Sequence, residues 1–259
     1  MSTAVTQFVS TERIKLALFG LFGIVFLALS LPAFLEPMTF WTGIVLGDYA
    51  YPGHELHHLV LGSVLPLLLL GVIAQAYRPS VRFGALHTSI IIWIALTVVF
   101  AIGGEFSPIH LILLALLLGM VVFHPTGIGQ RPSLEGLSQP MLVLAIVTAI
   151  GGFVFAGVEL LTHLEATDDH VAFGHYLFMA TAGLSIGALA VYGSIKETGW
   201  RFPIYGAGFL LVVIGAGSVL YPGAEQGSSL GVVLGMLVIL WGIFLVVVAE
   251  RGDMWFTDR

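Results

Sequence analysis

The chain has 259 residues, of which 58% are hydrophobic and 9% charged; its net charge is −6 and it contains no cysteine. A water-soluble domain carries about a quarter charged residues, so this composition excludes a soluble globular protein and makes the lipid bilayer its solvent. The lack of thiols excludes disulfides, thiolate metal sites and iron–sulfur clusters, and the lack of a basic cluster excludes nucleic-acid binding.

Residues 1–12 are short and polar, and Arg13 and Lys15 precede a long apolar run. That run is too long for the core of a cleaved signal peptide, so it predicts a retained first span. A membrane helix needs about twenty mostly apolar residues. Segments of that kind fall at 14–34, 59–76, 83–102, 109–123, 141–161, 171–193, 202–220 and 230–249, which predicts eight transmembrane helices. The fourth is short and borrows Pro108 and His124 at its ends. Between the first two spans, 37–47 is too short to cross, and Trp41 predicts an interfacial segment lying over the outer mouth. Pro66 predicts a kink in the second span. Gly183 with Gly187, and Gly231 with Gly235, form small-residue ridges suited to close helix approach.

Basic residues set the orientation. With the N-terminus cytoplasmic, all nine Lys and Arg residues (Arg13, Lys15, Arg78, Arg82, Arg131, Lys196, Arg201, Arg251 and Arg259) fall inside. Both termini are then cytoplasmic, in a multi-pass protein of the cell membrane. The acidic residues Glu36, Asp48, Glu55, Glu105, Glu159, Glu165, Asp168, Asp169 and Glu225 occupy the outer connections, with most of the histidines. The fold class is therefore all-α: a polytopic membrane protein of two four-helix bundles. An N-terminal half (1–124) and a C-terminal half (140–259) are joined by a polar cytoplasmic linker (125–139). Each half opens its third span with Arg-Phe (Arg82-Phe83 and Arg201-Phe202), suggesting a 4+4 parallel repeat about an axis along the membrane normal.

The second span opens with His54-Glu55-Leu56-His57-His58, where ionisable groups are costly to place in lipid without a function. It spells H-E-x-x-H. On a helix His54 and His58 share one face and can reach one zinc, with Glu55 beside them as the base of a catalytic water. The cluster in this respect resembles intramembrane metalloproteases, although no further ligand motif of that kind follows. A second cluster, His163 through His170 and then His175, supplies imidazole and carboxylate ligands suited to zinc, copper(II), manganese or non-haem iron. His170 and His175 are about 140° apart on an ideal helix, so a shared metal requires His170 to precede that helix.

A third constellation spans two helices. Glu55-x-x-His58 opens the second span and His110 opens the fourth, and both spans run inward. As diagonal members of a four-helix bundle they bring two imidazoles to similar depth, the geometry that clamps a haem iron. In these residues the chain resembles the haem A synthase family, over Glu55 to about Phe123. The resemblance implies a haem b held by His58 and His110, with Glu55 as the nearby carboxylate. The family's outer-loop cysteine pair is absent, Leu59 replaces the basic residue beside the ligand, and Ser228-Ser229-Leu230 opens the eighth span without a histidine. With these departures the resemblance implies a one-haem membrane cytochrome, or a relative with altered chemistry, rather than haem A synthesis.

Three functions follow. The first is redox chemistry at an outward-facing, histidine-rich site holding haem or a transition metal, with a membrane redox partner. The metal ligands would come from His54, His58, His170 and His175. The second is a zinc-dependent intramembrane hydrolase. The third is a proton-coupled transporter or carrier using Glu159, Glu55 and the histidines as a relay.

Overall fold

The computed structural model describes the backbone of residues 2–126, 137–196 and 198–256, and side chains from residue 11 to 251 within them. The helices are α1 (Ser2–Leu46), α2 (Glu55–Tyr77), α3 (Phe83–Ile102), α4 (Pro108–Val122), α5 (Gln139–Glu165), α6 (Asp169–Ala172), α7 (His175–Ser194), α8 (Arg201–Leu220) and α9 (Gly231–Phe256), with no strand among the described residues. Helix is what lipid demands, because every backbone N–H and C=O must find its partner inside the same segment. Seven of these helices are long and apolar enough to cross a membrane, and α4, at 15 residues, is shorter. The expected linker falls largely on residues 127–136, outside the described residues.

Packing places α2, α3, α7 and α8 at the centre, where α2 meets α8 and α3 meets α7. Helix α1 packs on α2 and α4, and α4 also on α3; α5 packs on α7 and α9, and α9 also on α8. The central helices bury most of their surface, while α1, α5 and α9 turn long apolar faces outward. Outward-facing Leu, Ile, Val and Phe are what a lipid solvent selects.

One expectation is corrected. The stretch 37–47 is no separate interfacial segment: α1 runs unbroken to Leu46, with Pro32 and Pro37 inside it. The indole of Trp41 donates to Ser63 Oγ on α2 at 3.3 Å, and a Cβ on Gly62 would stand 2.7 Å from the Trp41 ring. The bare backbone at Gly62 thus lets the last turns of α1 lie against α2, and this packing holds a prolonged helix that local sequence alone would end.

The small-residue ridge on α7 does what its pattern predicts. A Cβ on Gly183 would lie 2.7 Å from Gly152 O, and one on Gly152 would lie 2.4 Å from Gly183 O. Helices α5 and α7 therefore touch backbone to backbone. Gly215 and Gly235 do the same for α8 and α9, each meeting the other's carbonyl at 2.6 and 2.8 Å.

Candidate metal centre

Three chain segments meet at one end of the bundle. The first turns at Gly53 (φ 90°) into α2, with His54 as its N-cap. Glu55 secures this turn: its Oε2 accepts from Gly53 N at 2.9 Å and from Gln226 Nε2 at 2.6 Å. Gln226 also accepts from Leu56 N at 3.0 Å, satisfying one of the orphan donors at the helix start. Gln226→Ala would leave that N–H unpaired in a buried position, with an expected loss of about 1–3 kcal/mol. A lowered midpoint in thermal unfolding of the detergent-solubilised protein checks it.

The second segment is α6, a single turn whose N-cap Asp168 accepts from Val171 N. Burial raises the affinity of Asp168 for its proton, but hydrogen bonds from the Tyr176 hydroxyl and Val171 N, with His170 nearby, win and hold the carboxyl below its ordinary value. The chain then passes Gly174 in the left-handed region (φ 65°) and starts α7 at His175. A Cβ would strain that conformation. The break places His170 before the helix that carries His175, the condition under which the two can share an ion.

The nitrogen atoms of His54, His170 and His175 lie within 4.8 Å of one another. His54 Nδ1 and His175 Nδ1 are 3.0 Å apart. Two nitrogens each about 2.0–2.1 Å from a common ion stand roughly 2.9–3.4 Å apart, so this spacing fits a coordination edge as well as it fits a hydrogen bond. The outer nitrogens are fixed by the protein: His54 Nε2 donates to Asp169 Oδ2 at 3.3 Å, and His170 Nε2 donates to Gly53 O at 3.2 Å. A carbonyl can only accept, so Nε2 of His170 carries a proton and Nδ1 is the nitrogen turned inward. That Nδ1 is buried and makes no hydrogen bond, with the Asp168 and Asp169 carboxylates 3.5 and 3.6 Å away. Asp168, Asp169 and His170 form a second, more exposed donor group that shares this nitrogen. The residues present fit a transition metal: an imidazole set with carboxylates behind it, outer nitrogens anchored, and an unpartnered inner one.

Two residues expected near a metal or haem stand differently. His58 lies beside the group, its ring 5.0 Å from that of His175, but its Nδ1 is bonded to the Tyr49 hydroxyl and its ring stacks on Phe40. Burial, then the neighbouring Glu55, raises the Tyr49 pKa, so the phenol stays protonated. His110 is held apart at the start of α4, where its Nδ1 bonds Ser107 O at 2.9 Å. His58 and His110 nonetheless border one cavity of about 530 Å³, with His54 and His175 at its rim and walls that include Phe34, Leu65, Trp93 and Phe100.

The structure adds partnerships that the sequence did not show. His57, on α2, bonds Ser228 Oγ at 2.9 Å, and Ser228 donates to Glu159 Oε2 at 2.6 Å. Glu159 thus pairs with Ser228 rather than with His163, its neighbour one turn along, whose Nδ1 is buried without a partner. At the opposite end, His124 bonds Gln75 and Thr126, and His87 bonds Tyr192. No family model matches the chain, and comparison with curated proteins and with solved structures finds no match.

Proposed function

We propose that this membrane protein holds a transition-metal ion on His54, His170 and His175 and uses it for redox chemistry on an apolar molecule occupying the adjoining cavity. The observation that carries this reading is the convergence of three imidazole nitrogens from α2, α6 and α7, one of them buried and unpartnered. In a membrane such groups are functional by default. The ion would supply a change of oxidation state. The chain's own residues do the rest: Asp169 and Gly53 orient the imidazoles, and Phe34, Trp93 and Phe100 keep water from the cavity. With every Lys and Arg on the cytoplasmic side of eight spans, the centre faces outward. Elemental analysis after loading with copper, iron or zinc should find one ion per chain. Less than about a tenth of an ion, together with pH-dependent flux in vesicles, would favour a carrier instead.

A haem b between His58 and His110 is a second reading, favoured by one observation. Both histidines have Nδ1 held, by Tyr49 and Ser107, and both border the same apolar cavity. A Soret band in the purified protein, lost in a His110→Ala variant, would establish it. The hydrolase reading is disfavoured because the Glu55 carboxylate is committed to Gly53 and Gln226. Glu55→Gln should leave metal content unchanged.

A further inference from the structure

We propose that the end of the bundle opposite the histidine centre binds an anionic phospholipid, its phosphate among Arg82, Lys196 and Arg201 and one acyl chain in the groove between α2 and α8. Arg82 precedes α3, Lys196 follows α7 and Arg201 begins α8, so all three stand at that end. They line one cavity of about 580 Å³ with Thr198 and Trp200. Like charges gathered in this way repel, and the backbone holds them there. Gly84 N donates to Thr198 O at 3.1 Å, and a Cβ on Gly199 (φ 83°) would stand 2.9 Å from Gly84 N. The connection from α7 to α8 is thus clamped onto the first turn of α3, which puts Arg82 on the same cavity as the other two. Lys196 sits where a helix end usually has glycine: with φ 54° it is the one non-glycine residue in the left-handed region among the described residues. Backbone strain of this kind is kept where the side chain has a task. The Lys196 ammonium lies 5.0 Å from the centre of the Trp200 ring, and the Arg201 guanidinium 4.8 Å from it. Glu250 takes two nitrogens of Arg201, at 2.7 and 3.1 Å, and matches that charge. Arg82 and Lys196 add the positive charge that a phosphate diester would meet.

The cationic cavity leads into an apolar one. Phe202 and Tyr205 belong to the walls of both, and the second, of about 510 Å³, continues along Leu70, Leu67 and Pro66 of α2 and Phe209 of α8. Its α2 wall runs from Leu70 to Gly62, which at 1.5 Å per residue is roughly 12 Å along the helix. Tyr205 and Phe209 are exposed, so this groove opens sideways to the bilayer. A soluble anion would use the cations alone, whereas a lipid uses both cavities at once. Basic pockets between spans at the membrane surface suit acidic head groups, and Trp200 and Tyr205 are the residue types that sit at headgroup level.

The test uses the full-length protein, delipidated in detergent. Native mass spectrometry follows its binding of dioleoyl phosphatidylglycerol and of dioleoyl phosphatidylcholine. Phosphatidylglycerol should bind at least about tenfold more tightly, since each Lys or Arg near the surface is worth about fivefold towards an acidic lipid. Lys196→Gly removes one such charge and relieves the left-handed backbone. It should bind phosphatidylglycerol about fivefold more weakly, with its unfolding midpoint in lipid-free detergent unchanged or raised. Arg82→Gln should weaken binding by a similar factor. Inorganic phosphate should raise the unfolding midpoint of the unaltered protein far less than phosphatidylglycerol does. Equal binding of the two lipids would overturn the proposal, and that comparison needs no variant. Undiminished binding by Lys196→Gly would overturn it too, as would phosphate matching the effect of the lipid, which would make this a site for a soluble anion.

Discussion

His175→Ala should strip the metal from the protein. His175 begins α7, is buried, and faces His54 Nδ1 at 3.0 Å, so its loss removes one corner of the three-nitrogen group and leaves a hole that nothing nearby fills. Losing a residue behind a ligand lowers metal affinity about 10–100-fold, and losing the ligand itself should exceed the upper end of that range. Metal content after dialysis is expected to fall from one ion per chain to below about a tenth. His124→Ala, at the far end of the bundle against Gln75 and Thr126, should leave it unchanged.

Gly183→Leu should be strongly destabilising although it lies outside the centre. At Gly183 a Cβ alone would press within 2.7 Å of Gly152 O, and a leucine brings three further carbons into a contact made by two backbones. Helices α5 and α7 must separate, with an expected cost of about 3 kcal/mol. Gly20→Ala, where a Cβ meets nothing within 4 Å, is the matched control and should be neutral or slightly stabilising. Thermal unfolding of the two variants in the same detergent separates them; equal midpoints would mean that the helices do not pack as described.

The helices were legible because their signal is local. An apolar run bounded by Arg82 and Gly103 predicts 83–102, and α3 is Phe83–Ile102; the run from Phe202 predicts 202–220, and α8 is Arg201–Leu220. The end of α1 was not legible, because Pro37 and Gly43 are local stop signals that the contact of Trp41 with Gly62 and Ser63 overrides. In the site, the His54 cluster and the His170–His175 pair stood out as residue types too costly for lipid. Their exact meeting did not, since it depends on the turn at Gly174 and joins His54 to His175, 121 positions further along the chain. The partnership of His57, Ser228 and Glu159 joins positions 171 and 69 residues apart, and no local pattern announces such a chain. Its only trace in the sequence was a carboxylate placed within an apolar span.

The unbroken α1 also reaches beyond its solvent. From Thr11 to Leu46 it has 36 residues; at 1.5 Å each that is roughly 54 Å, against about 30 Å of hydrocarbon. Such a rod leans within the bilayer or pushes greasy turns up among the headgroups. Leu29, Phe34 and Phe40 of the same rod form one wall of the cavity beside the histidines. A change in the lean of α1 would therefore move one wall of that chamber.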